Sequence, residues 1–358
     1  MRQSLHIRPL APMCIVLALA TFLTGCGVLG SSQSDAKAND KVEKSTIHVG
    51  ELRLTDALPL NIAIDKGYFK AEGLDIDLQV VNKGSESVDK LQAGDLDIGL
   101  MSYPNAITPE AKHIHELKIV ADAAETAPGY AVCMVGKDSS IKDAHGLVGK
   151  KIAISSPKGI SEMAMTDQLA LQGITADQVK FVSFAITDMP ANVQNGNLDA
   201  AVISEPSKTQ GGKQNGLGVL LDPFTGATAD FPWSGWVATK KFVDANPKTT
   251  AAFRRALLHG VTDAKADRNL VEQAAVQHIG VDAQTAGLMV LPTYPLTDDP
   301  VRLQRVADLL AKYGQIPKRP DTNPPAAELD MHSMVLPPVP PGSWATALPP
   351  PPTTTTSK

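Results

Sequence analysis

Apolar and polar positions in this chain alternate between two rhythms from about residue 46 to residue 316. Short apolar runs predict strands at TIHVGEL (Thr46–Leu52), LDIDLQVV (Leu74–Val81), LDIGLMS (Leu96–Ser102) and LKIVADAA (Leu117–Ala124). Between them, helical spacing predicts one helix through LPLNIAIDKGYFKAEG, stopping at Gly73, and others over Gly84–Ala93 and Pro104–His113. The register begins again near Ala131. AVCMVG, KKIAISS, QVKFVSF, LDAAVIS and GVLLD read as strands, and ISEMAMTDQLALQGI and MPANVQNG as helices. After Trp236 the pattern turns helical through four segments, with Asn246-Pro247 as a cap and first-turn pair and Gly314 closing the last helix. Two successive α/β halves with mostly parallel sheets predict a two-lobed protein.

Both ends depart from this pattern. Arg2 and Arg8 precede an apolar run, Ala11–Leu23, that is too short to span a membrane and has the layout of a secretory signal. The run ends in Leu23-Thr24-Gly25-Cys26, which looks like a bacterial lipobox, so Cys26 is expected to carry lipid and become the first mature residue. Residues 1–25 are then a signal peptide, and polar residues 26–45 a flexible tether. From Pro317 onward prolines crowd the chain, and residues 317–358 read as a disordered or polyproline tail.

Composition narrows the chemistry. The chain has 33 basic and 38 acidic side chains, a formal net charge of −5; losing Arg2 and Arg8 with the signal leaves 31 against 38, about −7. That balance argues against a nucleic-acid partner. Cys14 leaves with the signal and Cys26 is committed to lipid, so an intramolecular disulfide is not expected. Cys133, inside YAVCMVG, reads as a buried structural thiol.

Several stretches together resemble one family: IAIDKGYFKAEGLDIDLQVV, KLQAGDLDIGL, LVGKKIAISSPKG, NVQNGNLDAAVISEPSKTQ and WVATKKFVDANPKTTAAFRRAL. They look like the solute-binding proteins of ABC importers for nitrate, alkanesulfonates, taurine and thiamine-pyrimidine precursors. The resemblance implies a periplasmic-binding-protein fold of two α/β lobes joined by two crossover strands, with the ligand in the cleft between. It implies lobe 1 over 46–131 and 236–316, lobe 2 over 132–235, and crossovers near Ala131–Val135 and Trp236–Thr239. It also implies a monomeric, lipid-anchored extracytoplasmic protein that captures a small sulfonate, taurine-like or related anionic or zwitterionic solute. Closure of the cleft precedes delivery to a membrane permease with a cytoplasmic ATPase. No cofactor or metal is expected.

Ligand sites in open α/β sheets gather beyond the carboxyl ends of strands. Five segments qualify: Leu54–Leu58, Ser102–Asn105, Ser155–Glu162, Ser204–Pro206 and Phe231–Gly235. In SSPKGISE, Ser161 is placed to cap a helix whose start can hold an anion without arginine. With the family resemblance, Ser156, Gly159 and Ser161 become ligand contacts, with Ile160 and Glu162 beside them. Ser102 and Asn105 either donate to an oxyanion or cap a helix, and Tyr103 walls the pocket. Glu205, in a strand-end Glu-Pro pair, either receives a ligand amine or braces the cleft by pairing with a base. Trp233, next to Ser234, stacks on ligand or packs beneath a crossover. In the first loop, Arg53 either clamps an oxyanion or pairs with Glu51, with Thr55 and Asp56 beside it. Asp56, Glu162 and Glu205 disfavour a purely anionic solute and favour a zwitterion or an amino-substituted heterocycle.

Catalysis is the rival class. A thiamine-pyrimidine synthase resembles this family but needs a cysteine- and histidine-rich iron segment, whereas the folded part here keeps one cysteine. GxSxG, Walker, HExxH and CxxC patterns are absent from the sequence, and His113 and His115 in KHIHEL read as surface residues.

Overall fold

Strand burial explains the sheet order. In a computed structural model that describes residues 41–340, the first sheet runs β2-β1-β3-β10-β4, with strands β1 (Thr46–Glu51), β2 (Asp75–Val80), β3 (Ile98–Ser102), β4 (Leu117–Glu125) and β10 (Pro232–Thr239). The apolar run of β3 is buried on both faces, as a central strand requires, whereas β2 alternates exposed and half-buried residues at the edge. Strands β1–β3 are parallel, and β10 enters antiparallel between β3 and β4.

The second sheet runs β7-β6-β8-β5-β9, from β5 (Ala131–Val135), β6 (Lys151–Ile154), β7 (Lys180–Ser183), β8 (Ala200–Ser204) and β9 (Gly218–Leu221). Again a parallel trio, β7-β6-β8, carries an antiparallel strand, here β5. Cys133 lies fully buried in β5, where burial pushes its thiol up to about 12.

The connections between lobes are residues 126–130 and 222–231, and they are bonded to each other. Thr126 N donates to Phe231 O (2.9 Å), and Phe231 N donates to Thr126 Oγ1 (2.8 Å). The expected crossover positions are therefore corrected: Ala131–Val135 is a core strand of the second sheet, and Trp236–Thr239 lies within β10 of the first. Pro232–Gly235, assigned to lobe 2 by sequence, belongs to that same strand.

The lobes also share apolar packing. Ile160, Met163 and Ala164 of the second lobe cluster with Leu303, Val306 and Leu310 on the helix Pro300–Lys312 and with Trp233. Beside this seam, Asp167 Oδ1 accepts from Lys312 Nζ (2.6 Å) and from Tyr313 Oη (2.7 Å).

The expected tail from Pro317 is corrected as far as residue 337. Ala327, Met331 and Met334 are fully buried in the first lobe. Ile119 N donates to Met334 O (2.9 Å), and Arg254 Nη1 donates to Pro337 O (2.7 Å). The prolines stop regular structure, but the apolar residues between them still find a surface to cover. The expected tether is corrected at its end, where Lys44 Nζ donates to Asp97 (2.7 Å) and Glu43 accepts from Thr249 N (2.8 Å); residues 341–358, the expected signal, Cys26 and the rest of the expected tether to residue 40 lie outside the described residues.

Candidate functional site

The carboxyl ends of β1, β2 and β3 in the first sheet and of β6 and β7 in the second face one cavity of about 360 Å³. From the first lobe, Leu52, Leu54 and Asp56 follow β1, and Asn82, Lys83 and Gly84 follow β2. Ser102 and Asn105 come from the end of β3, and Trp233 and Ser234 from β10. The second lobe adds Ser155, Ser156 and Ile160 after β6, with Ser183 through Ile186 at the end of β7.

Three helices start at this cavity: Gly84–Ala93, Tyr103–Ala111 and Ile160–Leu171. None has its first turn closed by a side-chain cap. Their leading N–H groups and dipoles therefore favour negative charge at the cavity wall. Glycine permits two close approaches here. A Cβ on Gly84 would lie 2.6 Å from Asn105 Nδ2, and one on Gly159 would lie 3.0 Å from Ser156 O.

Asp56 is the carboxylate of this lining and Lys83 its ammonium. Asp56 sits in the 3₁₀ turn Thr55–Ala57 at 2% exposure. Its Oδ2 accepts from Ser234 Oγ (2.7 Å), while its buried Oδ1 has no partner. Burial pushes its carboxyl up to about 6, against the opposing bond from Ser234. Thr55 is a step behind the wall, with Oγ1 3.1 Å from Tyr130 Oη and its carbonyl accepting from Tyr294 Oη (2.8 Å). Trp233 meets Tyr130 and Phe224 edge-on, with centroids 5.4 and 5.3 Å apart. It therefore faces the cavity while wedged against a residue from each interlobe connection.

Of the residues singled out in the sequence, Asp56, Ser102, Asn105, Ser156, Ile160, Trp233 and Ser234 come together on the lining. The others do not. Arg53 is exposed, because Leu54 N donates to Leu52 O (2.7 Å) in a tight turn that faces both leucines inward. Glu51, its expected surface partner, is buried and accepts instead from Asn61 Nδ2 (3.0 Å); burial pushes it up to about 7. Tyr103 is fully buried and donates its hydroxyl to Asp122. Gly159, and not Ser161, occupies the cap position, and Ser161 is buried in the first turn. Glu162 accepts from Lys158 N (2.8 Å). Glu205 is fully buried, pairs with Lys208 (2.8 Å) and accepts from Val290 N (3.1 Å) of the first lobe.

Sequence reading missed Lys83, Asn82 and Gly84 after β2, and Ser183 through Ile186 after β7. The same strand-end rule marks both segments. Among the described residues no group of three or more His, Cys, Asp or Glu is placed to hold a metal ion.

Two α/β lobes, two paired connections and a cavity at the facing strand ends define a periplasmic-binding-protein fold. The structure matches the crystal structure of the periplasmic aliphatic sulphonate binding protein SsuA from Escherichia coli. The TM-score is 0.63 at 19% identity, over 81% of this chain and 100% of that one. The NMT1/THI5-like family model matches residues 55–269, and the chain belongs to that family. It is 28% identical over 239 residues to the nitrate/nitrite binding protein NrtA of Nostoc sp., covering 61% of this chain and 53% of that protein. The corresponding protein of Synechococcus elongatus is 26% identical over 286 residues, at 67% and 62% coverage. The chain thus spans between about half and under two thirds of the length of these relatives.

Proposed function

We propose that this chain is the extracytoplasmic solute-binding component of an ABC importer, and that it captures a small oxyanion-bearing solute in the cavity between its lobes. The observation that carries the reading is the convergence of three uncapped helix starts and Lys83 on one interlobe cavity. Backbone N–H groups hold the anionic head, and Lys83 adds one mobile cation. Solute touching both walls favours the arrangement in which the lobes are closed, and closure is driven only by that difference in affinity. The closed form then docks on a membrane permease with its cytoplasmic ATPase. The Leu23-Thr24-Gly25-Cys26 motif supports lipid anchoring of a monomer at the outer face of a bacterial membrane. No residue is assigned a catalytic role, and solute leaves unchanged.

The test is thermal unfolding of the chain lacking residues 1–26 against taurine, alkanesulfonates, nitrate and aminopyrimidines. A true solute at 100 times its Kd adds about 2.7 kcal/mol of stability. Turnover of any of these compounds, or a flat response to all of them, overturns the reading. Recovery of a Cys26→Ala protein in the membrane fraction overturns the anchor.

A further inference from the structure

Carboxylates around the cavity differ in what they have left to accept. Glu205 is engaged by Lys208, Thr209 and Val290, and Glu162 by Lys158 N. Asp56 is different: the residue lines the cavity, one of its oxygens accepts from Ser234, and the other is buried with no hydrogen-bond partner among the described residues. A buried carboxylate oxygen without a donor is costly, so a nearby donor is strongly favoured. Asp56 is also poorly placed to move away. The residue before it is held by Tyr130 and Tyr294, and Ser234 belongs to a strand paired on both sides.

We propose that Oδ1 of Asp56 accepts an N–H of the solute, so that the cavity selects an oxyanion-bearing molecule carrying an amino group over the same skeleton without nitrogen. This rests on the solute-binding reading above and narrows it. The oxyanion lies toward the helix starts and Lys83, and the amine toward Asp56 and Ser234. A hydroxyl donates one weaker, uncharged bond in the same place and ranks between the amine and the bare chain.

Calorimetric titration at pH 7.5 with taurine, isethionate and ethanesulfonate tests this directly, because the three differ only in the group beyond the sulfonate. Taurine is expected to bind at least about 10-fold more tightly than ethanesulfonate, with isethionate between them. Asp56→Asn is expected to bring that ratio to within about 3-fold, chiefly by weakening taurine. Ethanesulfonate binding as tightly as taurine to the wild-type protein overturns the assignment and leaves the solute-binding reading standing; this comparison needs no variant. An Asp56→Asn protein that folds and keeps the wild-type ratio also overturns it. Binding of nitrate with none of the three overturns the assignment alone, and absence of binding by all three, by nitrate and by an aminopyrimidine overturns both.

Discussion

The two walls of the cavity are built from the same strand-end plan but carry different chemistry. The first-lobe wall holds both ionisable side chains, Asp56 and Lys83, together with the amides of Asn82 and Asn105. The second-lobe wall presents hydroxyls at Ser155, Ser156 and Ser183 and apolar surface at Ile160, Phe184, Ala185 and Ile186, with no ionisable side chain. On the proposed function this asymmetry divides the work: the first-lobe wall would distinguish solutes by charge and donor pattern, and the second, by excluding water and adding a helix start, would strengthen the charge interactions opposite it.

The largest expected break in this division comes from Trp233, which supports both walls. Trp233→Ala removes a side chain packed against both connections, and urea denaturation is expected to show a loss of about 3–5 kcal/mol.

The next test concerns the sign of the Asp56 contribution. Its folded-state value lies near 6 against an ordinary 3.8, so the folded protein holds that proton more tightly than the unfolded chain. Its contribution to stability is therefore highest below about pH 4, falls as pH rises toward 6 and is flat above. Asp56→Asn removes the fall. Relative to wild type, the variant is expected to gain up to about 3 kcal/mol between pH 4 and pH 8, whatever its absolute stability. A pH-independent difference would contradict a buried, ionised Asp56.

Smaller effects separate the walls in binding. Lys83→Gln is expected to weaken an oxyanion by about 1.5–3 kcal/mol and to flatten the salt dependence of affinity. Ser156→Ala removes one neutral donor from the opposite wall and is expected to cost about 0.5–1.5 kcal/mol, with no change in salt dependence. Equal salt responses in the two variants would dissolve the contrast between the walls.

Strands β1 to β9 were legible because each is a short apolar run closed by glycine or polar turn residues. Strand β10 was legible only in its second half: Phe231–Gly235 reads as a strand-end loop and Trp236–Thr239 as a crossover strand, and its place between β3 and β4 depends on a chain return that local pattern does not encode. The helix expected to run to Gly73 breaks at Gly67, which takes a φ of 73°, giving Leu58–Asp65 and Tyr68–Ala71. At the site, half of the residues singled out at strand ends reach the cavity lining. Distinguishing Arg53 from Lys83 required the Leu52–Leu54 turn, whose direction is a property of backbone bonding. Telling Asp56 from Glu205 required knowing which donors pack nearby, and for Glu205 one of them is Val290 N of the other lobe.

The bond from Lys312 and Tyr313 to Asp167 fixes where leverage is available. Asp167 lies along the helix that begins at Ile160, so the second lobe is pinned to the first partway along the very rod that reaches the cavity. Any swing must turn about that pin or tear it out, and the cavity end, a short arm from the fulcrum, travels little for a given rotation. On the proposed function, a biosensor that reports solute by a change in distance gains most from labels placed far from this pin.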